Sequence, residues 1–436
     1  MLARERDEIG HGRLEMKNRI ALRLIAVMSA LLIAAGVAGC SQQAPASFQK
    51  QLQEKLIKAK AGDVIEVPEG KFQFDRTLSV ANDKITIRGK GMDKSILSFA
   101  GQKEGGSGML VKANDFLIED VAIEDSAGDG LTIQGGSNIT VRRVRVEWTR
   151  GANTANGPYA IYPTECKNVL VEDSVAKGAS DAGFYIGQSD MVVMRRNRAE
   201  YNVDGYEVEN SQHVDVYENV ATHNSGGLGV FNLPSLPKQG GKYVRVFHNQ
   251  IYDNNTPNFA PKSLGAIYHL PAGTGMYVMA ISNVEVFENK IHDNNTTNLY
   301  VIAYNPSLGE VKDARYSPFS GQVYIHDNEI SGGGKSPDVR QDDVKALTSA
   351  LGGALPDVLY DGVIDPKIRA SAKGANPAQI CIGNNGTFSF LNFDGGNSFK
   401  HPVKDLKAYQ CSLEPLEAVS IPQIPAAPGS LRAGGQ

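Results

Sequence analysis

A short apolar motif that returns at a nearly fixed interval constrains this chain more than any other feature. Phe116, Ile139, Val169, Val192, Val214, Val244, Val284 and Val323 each open an apolar-x-apolar segment, at spacings of 23, 30, 23, 22, 30, 40 and 39 residues. The basic unit is therefore 22 to 23 residues, lengthened in places by insertions. A period in that range means stacked supersecondary units, each too small to bury its own apolar face. Alternation as in Val214-Asp215-Val216 is the period of a strand with one buried side, and roughly 22 residues accommodate three such strands and their corners.

The corners carry a second periodicity. Five residues after the first position stand Asn197, Asn219, Asn249, Asn289 and Asn328, and ten residues after it stand Asn202, Asn224, Asn254 and Asn294. Asparagine tolerates the left-handed conformation that a tight corner needs, and stacked amides can bond between coils roughly 4.8 Å apart. Two ladders of amides in register are expected. A chain of 436 residues is long for one compact core, but a stack grows by adding neighbours.

An exposed end coil would offer unpaired backbone groups to other chains and needs a cover. Phe48 to Ala59, with helical alternation of apolar and polar positions, supplies a candidate, followed by Gly62-Asp63-Val64-Ile65-Glu66-Val67-Pro68-Glu69-Gly70-Lys71-Phe72 and Ile85-Thr86-Ile87-Arg88-Gly89. This run resembles the N-terminal cap and first coils of the pectin-lyase-like superfamily. Over residues 48–333 the repeats are similar to those of sugar-hydrolase-associated and copper-maturation β-helix proteins. The resemblance implies an all-β fold, a single-stranded right-handed parallel β-helix with an N-terminal capping helix and a small C-terminal cap.

Beyond Gly332-Gly333-Gly334 the period is lost, so residues 334–414 are expected to form the C-terminal cap region, with a helix over Asp342 to Leu351. Cys381-Ile382-Gly383-Asn384-Asn385-Gly386 and Cys411-Ser412-Leu413 resemble the ending of a family of bacterial β-helix lipoproteins. An oxidising compartment permits a Cys381–Cys411 disulfide. Residues 415–436, rich in Pro, Ala and Gly, read as a disordered tail.

At the other end, Met16-Lys17-Asn18-Arg19 opens a basic stretch before an apolar run from Ile20 to Gly39, which makes Met16 the expected start and residues 1–15 a mis-started extension. The run closes on Val37-Ala38-Gly39-Cys40, which resembles the lipobox of bacterial lipoproteins. That resemblance implies removal of the signal peptide at residues 1–39, lipidation of Cys40, and a linker at residues 40–47. Ser41, neutral rather than acidic, favours the outer membrane, facing the periplasm or the surface. An uncleaved membrane anchor and an ordinary signal peptide remain alternatives. Without residues 1–39 the chain keeps 38 Lys/Arg against 44 Asp/Glu, a net charge of −6, which excludes a general nucleic-acid binder.

Chemistry is less legible. Arg142-Arg143 and Arg195-Arg196 alternate by coil with Glu119-Asp120 and Glu172-Asp173, which reads as charge pairing along a sheet rather than a cradle for acidic sugars. Aligning Gly130-Leu131-Thr132-Ile133, Gly183-Phe184-Tyr185-Ile186, Gly205-Tyr206-Glu207-Val208 and Gly265-Ala266-Ile267-Tyr268 brings Tyr185, Glu207, Glu209 and His269 to one outer face, with Tyr162, Phe231 and Tyr300 nearby. Glu207 and Glu209 would then be an acid–base pair with His269 as an alternative base, and Tyr162, Tyr185, Phe231 and Tyr300 would bind substrate.

Asp181 and Asp204 precede the entering glycines, as Asp129 does in an earlier coil, which favours turn capping over calcium or catalysis. No metal site or cofactor is expected, calcium being the alternative left open. Insertions at residues 231–243, 255–263, 270–283 and 303–322 would wall a groove. The Asp-Pro-His-Asp, Gly-His-Gly and Trp-Ile-Asp-His motifs of the superfamily's epimerases, polygalacturonases and pectate lyases are absent, so no catalytic residue carries over.

Three functions fit: a cell-envelope protein that binds polysaccharide or scaffolds an envelope component; a lyase, hydrolase or epimerase of an acidic glycan; an accessory factor for metal or electron-transfer machinery. Fold does not choose among them.

Overall fold

The computed structural model describes residues 47–422 apart from residues 104, 372 and 373. The signal peptide, Cys40 and the end of the tail lie outside the described residues.

The repeat builds one coil per period. In a central coil Gln212–Tyr217 lies in the long sheet, Val220–Thr222 continues it after a corner, and Gly226–Phe231 lies in a second sheet after another corner. Among the described residues, stacking such coils produces sheets of 19 and 11 strands whose neighbouring strands pair in parallel. Val192, Val214, Val244, Val284 and Val323 fall in register on successive rungs and are at most 1% exposed. The side chain between each pair of valines faces outward, which explains the two-residue alternation.

Both asparagine ladders are present. The Asn219 Oδ1 accepts from the backbone N–H and Nδ2 of Asn197, while the Asn219 Nδ2 donates to the Met194 carbonyl and the Asn249 Oδ1. The same pattern repeats through Asn249, Asn289 and Asn328, and in the second ladder through Asn202, Asn224, Asn254 and Asn294. One physical detail differs from the expectation. The left-handed residue at each corner precedes the asparagine: Arg196, Glu218, His248 and Glu288 have φ of 52° to 55°. The asparagine turns inward instead, where its amide satisfies backbone groups of the neighbouring coil.

Helix Phe48–Lys58 covers the first coils, with Leu52 and Leu56 buried and Phe48 stacked on Phe72 at 3.9 Å. The Gln53 amide accepts from the Ser79 N–H at 2.9 Å and donates to the Ser79 carbonyl at 3.1 Å, imitating the missing strand at the sheet edge.

At the far end the repeat continues further than residue 333. After an excursion that includes helix Asp342–Leu351, Ile380–Gly383 rejoins the long sheet against Gly321–His326, and Val358–Tyr360 and Phe390–Asn392 extend the second sheet. Asn385 stands five residues after Ile380 and bonds Asn328, completing the first ladder. The excursion, and not the end of the stack, interrupts the period.

Cys381 and Cys411 are bridged, with Cα atoms 4.9 Å apart. From there the chain runs back over the long sheet, so residues 415–422 are an ordered strap rather than a disordered tail. The Leu416 N–H donates to Glu285 at 2.9 Å and the Val419 N–H to Asp215 at 3.1 Å. Leu413, Leu416 and Val419 are half-buried, every third residue facing the sheet. Three residues of extended chain reach roughly 10 Å, enough to span the roughly 9.6 Å of two coils. Glu285 and Asp215 are two coils apart, so the strap's period and the stack's period coincide.

Candidate functional site

The outer face of the second sheet carries a row of residues in register: Thr132, Tyr162, Tyr185, Glu207, Gly229, Tyr277 and Tyr300. Their strand neighbours Phe184, Tyr206, Leu228 and Met276 fill the core, which fixes the opposite direction of the row. Strand Asp204–Glu209 places Glu207 and Glu209 on this outer side, and Asp181 and Asp204 enter the same sheet at its corner.

These four carboxyls are 0% to 6% exposed. The Tyr185 hydroxyl donates to Glu209, and the Tyr277 hydroxyl reaches two coils back to donate to Asp204 at 2.8 Å. Room for those rings comes from glycine: a Cβ at Gly187 or Gly229 would lie 2.3 Å from the phenol of Tyr185 or Tyr277, respectively. The Asp181 and Asp204 Oδ1 atoms are buried without a hydrogen bond, and Glu207 makes no side-chain hydrogen bond among the described residues. Buried polar atoms left open in this way call for an explanation.

Burial raises all four carboxyls. Glu209 and Asp204 are each pushed up to about 7, against the lowering effect of the tyrosine hydroxyl that each accepts from. Asp181 and Glu207 are pushed well above the carboxylate range, first by burial and then by the charges of the other acids. Groups so coupled titrate as a set. At neutral pH the set holds carboxylic acids beside carboxylates, which is the state required of an acid and a base working together.

On one side an apolar cover of Phe231, Leu270, Met279, Tyr304 and Tyr316 packs over the row. Phe231 and Met279 end strands of the second sheet, while Leu270, Tyr304 and Tyr316 come from the insertions between coils. The other side is a rim where Asp129, Tyr159 and Tyr162 are partly exposed. Tyr159, Tyr162 and Tyr185 form a triad with ring centres 4.5 to 4.9 Å apart. Among the described residues no group of three or more His, Cys, Asp or Glu is arranged to hold a metal ion.

Comparison with known proteins bears on the coil itself. The family described as "Right handed beta helix region" matches residues 97–236. The A-module of mannuronan C-5 epimerase AlgE4 from Azotobacter vinelandii superposes with a TM-score of 0.51 at 17% identity, covering 72% of this chain and 87% of that one. The protein is a right-handed parallel β-helix. The A-module of AlgE6 from the same organism gives a TM-score of 0.51 at 16% identity, over 73% of this β-helix and 86% of that chain. No curated protein sequence matches the chain.

Within the β-helix the residues expected at the site divide into two groups. Glu207, Glu209, Tyr162, Tyr185 and Phe231 come together, Phe231 lying opposite Glu209 on the next coil. Tyr300 lies on the same row three coils from Glu207, roughly 14 Å away, near Phe393. His269 does not join them. It is exposed in the 3-10 helix Lys262–His269 of an insertion, its Nδ1 3.4 Å from the Gln341 side chain. The strand of that coil is Thr274–Met279, so residues 270–283 are not a loop, and Tyr277 holds the place assigned to Ile267.

The sequence reading missed Asp181, Asp204, Tyr159 and Tyr277 as site residues. A signal for Tyr277 exists: Thr132, Tyr162, Tyr185, Glu207 and Tyr277 all stand seven residues before an apolar-x-apolar start. Arg142, Arg143, Arg195 and Arg196 are spent on Glu119, Asp120, Glu172 and Asp173 in the long sheet, away from these acids.

Proposed function

We propose that this protein binds a glycan at the acid–tyrosine cluster and hydrolyses it by paired-carboxyl chemistry, held in a bacterial cell envelope through lipidated Cys40. The observation that carries the reading is the Glu207–Glu209 pair, two buried and raised carboxyls on one strand face beside the tyrosine triad.

Hydrolysis of a glycosidic bond needs one carboxyl to protonate the departing oxygen. It needs another, ionised, to take a proton from the water that bonds the anomeric carbon. Residues two apart on a strand have Cα atoms roughly 6.7 Å apart, compatible with the roughly 6.5 to 9.5 Å between the carboxyls of an inverting pair. Mutual repulsion keeps part of the set protonated once one member ionises. Tyr159 and Tyr162 offer flat faces at the rim for a sugar ring. The two similar solved structures are named as enzymes of a polysaccharide, mannuronan, which accords with a glycan ligand.

The apolar cover over the carboxyls favours a second reading, glycan binding without cleavage. Incubating the purified protein with a panel of polysaccharides separates the two. New reducing ends that vanish in Glu207→Gln and Glu209→Gln support hydrolysis. Retention of a polymer without new ends, weakened in the same variants, supports binding alone. Neither effect with any polymer removes both readings.

A further inference from the structure

We infer that the cluster takes an uncharged sugar ring and rejects uronic acids. The inference rests on reading the cluster as a glycan site and names the substrate class.

The groups that face Glu207 and Glu209 from each packed element are acids, phenols and apolar side chains. Asp181 and Asp204 come from the sheet corner, and Tyr185 and Tyr277 from coils on either side. Leu270 comes from one insertion and Tyr316 from another. Among the described residues no lysine, arginine or histidine pairs with any of the four carboxyls.

Cations in the covering loops are committed elsewhere. Arg315 is bound by Asp313 and by the Leu236 and Pro237 carbonyls, Arg340 by Asp338, and Lys262 lies over the Tyr268 ring. The exception is Lys238, which is exposed and makes no ion pair among the described residues.

Recognition of a carboxylate ordinarily uses an arginine fork, a lysine or a set of N–H donors. Here a uronate would instead meet carboxyls, and one ionised carboxyl about 5 Å away opposes it by on the order of a hundredfold in affinity at an effective dielectric of about 20. An uncharged ring meets the opposite situation. Its hydroxyls can donate to the Glu207 carboxyl, which no side chain among the described residues bonds, and accept from it when it is protonated. That open carboxyl thus matches what hydroxyls supply.

The test is affinity electrophoresis in native gels containing a neutral polymer (mixed-linkage β-glucan, galactomannan or dextran) or a uronate polymer (polygalacturonate or alginate). It is run at pH 6 and pH 8 with the wild type, Glu207→Gln and the rim variant Tyr162→Ala, each checked for a single cooperative melt. The expected result at pH 8 is retardation by a neutral polymer with a Kd at least about tenfold below that for either uronate, weakened in both variants, with the gap narrowing at pH 6, where the raised carboxyls keep their protons. A uronate polymer bound as tightly as any neutral one, through the same residues, overturns the charge inference and leaves the glycan site standing. Absence of retardation by every polymer, or retardation indifferent to both substitutions, overturns the glycan site itself.

Discussion

Glu209→Gln should stabilise the protein at pH 8 and bring no gain at pH 4.5. Burial raises the Glu209 carboxyl from 4.5 to about 7, even though the Tyr185 hydroxyl bonded to it pulls the other way. Between those two values the native state keeps a proton that the unfolded chain has released. The unfolded state therefore binds fewer protons, and stability falls as pH rises from about 4.5, levelling off above about 7. At about 1.4 kcal/mol for each tenfold change in proton affinity, the loss is about 3 kcal/mol. Glutamine has no proton to give up, so it escapes that loss while preserving the volume. For about 370 residues unfolding together, about 3 kcal/mol corresponds to a difference in Tm of about 4 °C. Calorimetric melts of wild type and variant should converge near pH 4.5 and separate by that amount at pH 8, the variant higher. Melting curves that stay parallel from pH 4.5 to pH 8 would refute the reasoning, because they would mean that Glu209 ionises as easily in the fold as outside it.

Asn249→Ala should cost about 2 to 6 kcal/mol in urea unfolding, since it leaves the Asn219 N–H and the Val216 carbonyl buried without partners; a loss below about 1 kcal/mol would show that the ladder contributes little. Tyr185→Phe removes the hydroxyl that lowers Glu209, so the carboxyl should titrate above its present value of about 7 in a carboxyl-resolved infrared or NMR titration, and an unmoved midpoint would contradict the hydrogen bond. Cys411→Ser unfastens the start of the strap, and cleavage by a glutamate-specific protease after Glu417 should accelerate by about tenfold, with the coils themselves remaining intact.

The stack was legible because its signals repeat. A misreading of one coil is corrected by seven others, and an inward amide at Asn219 is supported by the same residue above and below it. Insertions broke that advantage. Between Asn254 and Val284 the sequence offers two candidate strands, Gly265-Ala266-Ile267-Tyr268 and Thr274–Met279. The glycine-led one looks more like its predecessors, but only the second stands at the right distance from Val284. That single choice misplaced His269 and hid Tyr277. The same effect of insertion made the stack look finished at residue 333, although Ile380 and Asn385 repeat the five-residue spacing. The burial of the acids was not legible, because it depends on which side chains come over the sheet from loops that carry no period.

Glutamates 172 and 207 show what separates a structural acid from a site acid in one architecture. Both lie on outer strand faces, and both are 4% exposed or less. Burial penalises the charge of each. Around Glu172 the coils above and below contribute Arg195 and Arg142, whose hydrogen bonds outweigh burial and leave its carboxyl below the usual range. Around Glu207 the same two positions are Tyr185 and Gly229, so nothing offsets burial and the neighbouring acids add to it. Position 229 must stay glycine because the Tyr277 ring lies over it, but stacking would have accepted an arginine at residue 185 as it did at residues 142 and 195, since the register of both sheets is equally regular. Tyr185→Arg therefore ought to turn Glu207 into another Glu172, lowering its carboxyl and raising stability at pH 8 while abolishing glycan retention. A variant that gains stability and keeps retention would show that the uncompensated acids are not what the glycan uses.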